Sequence, residues 1–179
     1  MAEFSGISSE HEAFIAGQKI FFVGTAAPEG RVNIAVKDMA SLSVIGPNRI
    51  LWLNLTGAEN ETAAHLLESK RMTIMWCSFE KRPLVLRAYG SAEVVHLADE
   101  EWDVCAEVIA PAPGARQYVN LAVDFVLTSC GFGVPLYAFN GHRDTLRRWA
   151  IGRGDDGLRE HWAEYNAVSL DGKPTRITA

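Results

Sequence analysis

The chain has 179 residues, of which 48% are hydrophobic, and it carries a formal net charge of −5. This length and apolar content suffice for a single packed domain. The acidic balance and the lack of a basic run argue against a nucleic-acid partner, because binding a phosphate backbone requires lysine and arginine to displace counterions. No apolar run is long enough to span a bilayer, and the N-terminus does not resemble a signal peptide, so we expect a cytoplasmic protein without a membrane partner.

The first 69 residues predict a short helix, three strands and a second helix. Ser9 and Glu12 have the spacing of a capping box that opens a helix. Turn residues then separate three apolar segments that are rich in β-formers. These predicted strands are 19–26, 31–37 and 49–55. Asn60 is a plausible N-cap, and the apolar positions after it indicate a helix that ends near Ser69.

The second half of the chain predicts three more strands, with a helix before the last one. These strands are 72–79, 84–96 and 117–128. Gly90 indicates a β-bulge where the long middle strand bends. Residues 99–110 have the pattern of a helix, and a turn-rich stretch from Cys130 onward precedes two helical stretches around 146–151 and 158–168.

The order of these elements bears on the fold class. Strands and helices that do not alternate as β-α-β units disfavour a doubly wound sheet and favour an antiparallel barrel. The cysteines at 77, 105 and 130 are odd in number and far apart, without CxxC spacing, so they indicate neither a disulfide framework nor a zinc site. His142 and His161 also lack the paired spacing of metal ligands, and no metal site is predicted.

Three separated signals point to an anion site. A basic strand ends at Lys37, a helix starts after Thr56-Gly57 with Asn60 as its N-cap, and Arg87 lies on a later strand. The free N–H groups of a helix start bind anions, most simply a phosphate, and nearby cations strengthen that binding. If a barrel brings these three signals to one rim, the rim is an anion site.

Simpler interpretations of the same residues remain open. Lys37 at a strand end is an ordinary place for a solvated edge charge. Arg87 could pair across the sheet with Glu93 or Asp124. Asn60 is an N-cap under either interpretation, so its identity alone carries little weight.

Several segments in order resemble the pyridoxamine 5′-phosphate oxidase-like flavoproteins. They are the apolar hairpin, the strand ending in Lys37, ILWLNLTG at 50–57, NETAAHL at 60–66 and LRAYG at 86–90. The resemblance covers about residues 14–128. It implies a mainly β fold, a six-stranded antiparallel split β-barrel with flanking helices. It also implies an FMN-binding domain at 1–129, with 130–179 as a helical C-terminal extension packed on the same domain.

The resemblance further implies a homodimer with FMN in the groove between subunits. Transferred position by position, the implied FMN-binding residues are Lys37, Thr56, Gly57, Asn60, Thr62 and Arg87. The family's Ser-Arg-Lys run at the helix start is replaced by Asn60-Glu61-Thr62, which leaves the backbone N–H groups, the Asn60 amide and the Thr62 hydroxyl for that role. The arginine and histidine that hold the pyridoxal substrate in the true oxidase have no match in the tail, so that activity itself is not implied.

The function expected on this basis is an FMN-dependent oxidoreductase that acts on an unidentified small molecule. Hydride would come from a nicotinamide donor, and no catalytic side chain is assigned because the flavin ring carries the electrons. Three alternatives remain. They are a deazaflavin-dependent reductase, a non-enzymatic flavin- or haem-binding stress protein with His65 or His96 as an axial ligand, and an interaction module without a cofactor.

Overall fold

In a computed structural model, which describes residues 1–177, eight strands form one antiparallel sheet. The strands are β1 (Ala2–Phe4), β2 (Ile20–Thr25), β3 (Asn33–Asp38), β4 (Leu42–Gly46), β5 (Arg49–Leu55), β6 (Arg71–Cys77), β7 (Val85–His96) and β8 (Ala115–Ser129). Their order in the sheet is β3-β2-β6-β7-β8-β5-β4, and β1 also pairs with β8. All six predicted strands are present. The structure adds β1, which has three exposed residues, and β4, which is short.

The sheet curls into the split barrel that the resemblance implied. Phe21 of β2 and Trp52 of β5 lie on strands that are not neighbours in the sheet, yet their rings are 5.9 Å apart and both are buried in one hydrophobic core. Gly90 marks the bend of the long strand β7, as predicted, because the pairing with β8 shifts between Tyr89 and Gly90. A Cβ atom at Gly90 would lie 1.9 Å from the carbonyl oxygen of Ala122. Only glycine fits this close approach of two strands.

Four α-helices accompany the sheet across the described residues. They are α1 (Ser9–Gly17), α2 (Glu61–Glu68), α3 (Trp102–Val108) and α4 (Thr145–His161), and a π-helical turn (Trp162–Asn166) continues α4. The predicted cap of α1 was wrong by one position: Ser8 is the N-cap, and it forms a capping box with His11. No helix within residues 1–177 is both long and apolar enough to cross a membrane.

The C-terminal helical region consists of two helical segments, in agreement with the two stretches expected at 146–151 and 158–168. They meet at Gly154, whose φ of 64° and ψ of 177° are not helical. A positive φ is costly for most residues and ordinary for glycine, so the bend falls at this position. The π-helical turn then brings Trp162 and Asn166 against the barrel, where both side chains are buried.

Candidate functional site

A pocket of about 290 Å³ lies where β3, the end of β5 and the start of α2 meet. Its walls come from four places in the chain. They are Asn33, Ala35 and Lys37 of β3, Asn54 of β5, the segment from Gly57 to Thr62, and Arg116 of β8. We call this the anion pocket. It brings together Lys37, Gly57, Asn60 and Thr62 of the residues predicted from the sequence.

Lys37 points from β3 towards the interior of the barrel. Its Nζ donates a hydrogen bond to Asn54 Oδ1 at 3.4 Å and lies 5.1 Å from the centre of the Trp52 ring. Burial, reinforced by the positive charge of Arg116, lowers the pKa of Lys37 to about 8. The lysine is therefore mostly charged at neutral pH but is held in surroundings that disfavour its charge. It is not the solvated edge charge of the alternative interpretation.

Arg116 supplies a second cation that the sequence did not reveal. The pairing of β5 with β8 matches Asn54 to Gln117 and Leu55 to Ala115, so Arg116 is the extra residue of a β-bulge. A bulge redirects a side chain, and here the guanidinium is turned inward and is only 2% exposed. Burial lowers the pKa of Arg116 to about 10, which leaves it charged at neutral pH.

Hydrogen bonds to a single nitrogen, Nη1, hold the guanidinium of Arg116 in place. Its Nη1 donates to the Glu59 carbonyl oxygen at 3.0 Å and to Asn166 Oδ1 at 2.7 Å. Its Nε is buried and has no hydrogen-bond partner within residues 1–177. Neither Arg116 nor Lys37 forms a salt bridge in the described part of the chain. Two cations thus share one pocket in which neither is paired with a carboxylate, although Glu59 and Glu61 also line it.

The start of α2 adds unsatisfied polar groups to the same pocket. Asn60 occupies the N-cap position, as predicted, but its side chain makes no capping hydrogen bond. Both of its side-chain polar atoms are buried and lack partners within the described residues. The Thr62 hydroxyl accepts a hydrogen bond from Asn33 Nδ2 at 3.1 Å. Buried polar atoms without partners are uncommon in folded proteins, so the Asn60 amide in the wall of this pocket calls for an explanation.

Thr56 and Gly57 have different roles in the loop before α2. Thr56 does not line the pocket: its hydroxyl donates to the Gly114 carbonyl oxygen at 2.9 Å and accepts from Trp162 Nε1 at 2.9 Å. Gly57 lines the pocket, and its carbonyl oxygen accepts from Asn166 Nδ2 at 3.1 Å. Thr56 therefore anchors the loop through contacts that lie outside the pocket.

Arg87 lies away from the anion pocket. Along the sheet it pairs with Met75, which pairs with Phe22, which in turn pairs with Val36. Lys37 pairs instead with Phe21. Because directly paired residues share a face and successive residues alternate, Lys37 and Arg87 point to opposite faces of the sheet.

On its own face, the Arg87 guanidinium donates to Ser129 Oγ at 3.3 Å. The structure therefore does not bring Lys37 and Arg87 to one rim within a single chain. The arginine that joins Lys37 is Arg116, and the contact of Arg87 with a cofactor stays a prediction.

A wider cleft of about 650 Å³ adjoins the anion pocket and shares Lys37 with it. Three aromatic side chains line it: Phe79, Tyr137 and Phe139. At its edge His142 Nδ1 and Asp38 Oδ2 are 2.9 Å apart, a contact that the sequence did not suggest because 104 positions separate the two residues. We call this the aromatic cleft.

The two histidines considered as haem ligands lie elsewhere. His65 is 1% exposed, and its Nδ1 lies 3.1 Å from the Thr25 hydroxyl. His96 lines other pockets, and burial lowers its pKa. Within residues 1–177, no three side chains of His, Cys, Asp or Glu are grouped so that they could hold a metal ion.

Comparison with known proteins gives one family. The family model described as pyridoxamine 5′-phosphate oxidase matches residues 7–130. The pyridoxamine 5′-phosphate oxidase family protein ustO of Aspergillus flavus is 31% identical over 177 residues, which cover 88% of this chain and 70% of ustO.

Solved structures show the same fold at low sequence identity. HupZ of Group A Streptococcus matches with a TM-score of 0.56 at 16% identity, over 74% of this chain and 99% of that one. A putative pyridoxamine 5′-phosphate oxidase of Lactobacillus delbrueckii matches with a TM-score of 0.55 at 18% identity, over 71% and 99% of the two chains. Both likenesses support the split barrel.

Proposed function

Because the chain belongs to the pyridoxamine 5′-phosphate oxidase family, we propose that it is an FMN-dependent oxidoreductase whose anion pocket binds the phosphate of FMN. The observation that carries the proposal is the pair of inward-facing cations, Lys37 and Arg116, which have no carboxylate partner in the described residues. Burying a charge without a partner is costly, and a bound phosphate would offset that cost. The pocket suits a dianion better than any neutral group.

The remaining polar groups of the pocket fit the same ligand. Phosphate oxygens accept hydrogen bonds, and the pocket offers donors from the Asn60 amide, the Thr62 hydroxyl and the free N–H groups at the start of α2. The helix dipole adds about 0.5–1 kcal/mol for an anion at this end. Lys37 and Arg116 thus do the work that a basic run at the helix start does in the family pattern.

The aromatic cleft is the proposed place for the ring system of the cofactor. Lys37 lines both the pocket and the cleft, so a ligand held by its phosphate can continue between Phe79, Tyr137 and Phe139. Clefts of a few hundred cubic ångströms with aromatic walls are typical of cofactor sites. When bound, the isoalloxazine ring would supply hydride and electron transfer, and the protein would orient it and exclude water.

A homodimer is part of the proposal. Val32 lies just before the edge strand β3, Ile34 and Val36 lie within it, and the three side chains are 70%, 75% and 59% exposed. A row of apolar side chains on an edge strand is unusual in a protein that stays monomeric. Arg87 points to this same outer face, and we propose that it meets the flavin across the dimer interface.

The first test is the bound cofactor of the purified protein. We expect a yellow protein that releases FMN on denaturation, identified by mass spectrometry, and that is bleached by NADH or NADPH under anaerobic conditions. A Soret band would favour the haem-binding alternative, and a deazaflavin in the denatured extract would favour the reductase alternative. A colourless protein that does not take up added FMN would refute the proposal.

Variants separate the two predicted cations. Lys37→Met should lower FMN affinity by about 1–3 kcal/mol, because it removes a charge-assisted hydrogen bond to the phosphate. Arg87→Gln should lower FMN affinity only in the dimer, because Arg87 does not reach the anion pocket of its own chain. An unchanged FMN affinity in Lys37→Met would rule out the assignment of the phosphate to this pocket.

A further inference from the structure

Resting on the proposed function, we propose that the C-terminal segment 162–175 is part of the phosphate site, with Arg116 as a phosphate-binding residue and Asn166 as the residue that positions it. No predicted site residue lies beyond Arg87 in the sequence. The structure nevertheless brings this distant segment directly behind the anion pocket.

Asn166 is the centre of the arrangement. Its side chain is fully buried and uses both ends. The Oδ1 atom accepts from Arg116 Nη1 at 2.7 Å, and Nδ2 donates to the carbonyl oxygens of Gly57 at 3.1 Å and Ala58 at 3.3 Å. One amide therefore fixes the second cation and the loop that lines the pocket.

The backbone around Asn166 is itself held in place. Asn166 ends a π-helical turn, a rare conformation that occurs frequently at functional sites. Its carbonyl oxygen accepts from the Thr175 hydroxyl at 2.6 Å, and that hydroxyl is fully buried. The position of the amide is thus set by the segment and not by the barrel alone.

The segment also affects the acidic residue at the start of α2. Glu61 stands next to the N-cap, where the family pattern has a basic residue, and its carboxylate would repel a phosphate. Glu61 Oε1 accepts a hydrogen bond from the backbone N–H of Leu170 at 2.7 Å, and Oε2 lies 3.9 Å from His65 Nε2. The segment therefore supplies a donor to this carboxylate while it holds the cation in the pocket.

A neutral acceptor is important for the role of Asn166. An aspartate at the same position could hold Arg116 equally well, but its charge would neutralise the guanidinium. An asparagine positions the arginine and leaves its positive charge available to a ligand. Both hydrogen bonds of Arg116 come from Nη1, so Nη2 and Nε are the donors that remain for a ligand.

The test compares FMN with riboflavin, which lacks the phosphate, by fluorescence titration of the full-length apoprotein. Arg116→Gln and Asn166→Asp should each weaken FMN binding by about 10- to 100-fold, since each removes or neutralises one charge-assisted contact. Riboflavin binding should change less than about twofold in both. Lys70→Ala is the control, because it removes an exposed cation that is paired with Glu93, outside both the pocket and segment 162–175, and it should leave both affinities unchanged.

The outcomes are distinguishable. If the wild type binds FMN and folded Arg116→Gln or Asn166→Asp binds it as tightly, the inference is overturned and the proposed function stands. Equal losses for FMN and riboflavin would show a merely structural role and would also overturn it. If Arg116→Gln does not fold, Arg116→Lys and Asn166→Asp decide by the same ratio.

A wild type that binds neither flavin removes the proposed function. Inorganic phosphate then serves as the probe of the anion site. Thermal stabilisation of the wild type by phosphate, absent in Asn166→Asp, would support the site without a flavin. The lack of that stabilisation would overturn both proposals.

Discussion

Raising the pH from 7 to 9 should weaken FMN binding, because it removes the charge of Lys37. Burial and the nearby Arg116 lower the pKa of Lys37 from 10.5 to about 8. A lysine with this pKa is about nine-tenths charged at pH 7 and about one-tenth charged at pH 9. The phosphate monoester loses its second proton near pH 6, so the charge of the ligand stays about constant over the same interval.

The size of the effect follows from linkage. A phosphate next to Lys37 favours the charged ammonium and so raises the pKa of this lysine in the complex. If that pKa rises by about two units, FMN affinity should fall by about tenfold between pH 7 and pH 9, which is about 1.4 kcal/mol. Near pH 8, binding should also take up about half a proton, because half of the free lysines are neutral there.

Two measurements check this prediction. Fluorescence titration of the apoprotein at pH 7, 8 and 9 gives the affinities, and calorimetry in two buffers of different ionisation enthalpy gives the proton uptake. Lys37→Arg is the control, because arginine keeps its charge throughout this range and should flatten the profile. A wild-type affinity that is the same at pH 7 and pH 9, or a slope that Lys37→Arg retains, would refute the reasoning.

Three further predictions concern stability and assembly. Lys37→Met should raise the melting temperature of the apoprotein at pH 7 by removing a charge held in unfavourable surroundings. Because the pKa of Lys37 is lower in the folded chain, the wild type should regain stability as the pH rises from about 8 towards 10.5, and this gain should be absent from Lys37→Met in thermal scans. Gly90→Ala should lower the free energy of unfolding in urea by at least about 1–3 kcal/mol, because its Cβ would overlap the backbone of β8. Gly133→Ala is the control: its Cβ would meet nothing within 4 Å, and it should change the free energy of unfolding by less than about 0.5 kcal/mol. Ile34→Glu should convert a dimer into a monomer in sedimentation experiments, and Val104→Glu, at a similarly exposed apolar site on α3, should not.

The sequence predicted most of the barrel because its central strands have strong local patterns. Alternating or continuous apolar residues between turn residues mark β2, β3 and β5 to β8, and Gly90 marks the bend of β7. The strand β1 has no such pattern: its three exposed residues become a strand only by pairing with Val126 to Thr128, more than a hundred positions away. A pairing of that range cannot be inferred from local periodicity.

The same distinction separates the site residues that were predicted from those that were missed. Lys37 and Asn60 lie at the end of a strand and the start of a helix, where sequence position alone places a charge or a cap near the rim. Arg116 lies one position before the predicted strand 117–128, and its inward direction depends on a bulge between β5 and β8. Arg87 was predicted to join Lys37 but lies away from the anion pocket. The face of the sheet to which it points depends on a pairing register that runs through four strands.

These misses share a physical cause that also explains the unusual helix start. A basic run before α2 would place the phosphate-binding charge on residues that are local in sequence and therefore recognisable. In this chain the helix start is Asn60-Glu61-Thr62, and the second cation instead comes from Arg116 on β8, oriented by Asn166 at the end of the π-helical turn. A cation that must be aimed by distant contacts needs a rigid support, and the fully buried Asn166 amide, bonded to both the cation and the loop, provides it. In the proposed site the C-terminal segment contacts both the second cation and the Glu61 carboxylate, so it would make the acidic helix start compatible with a bound anion.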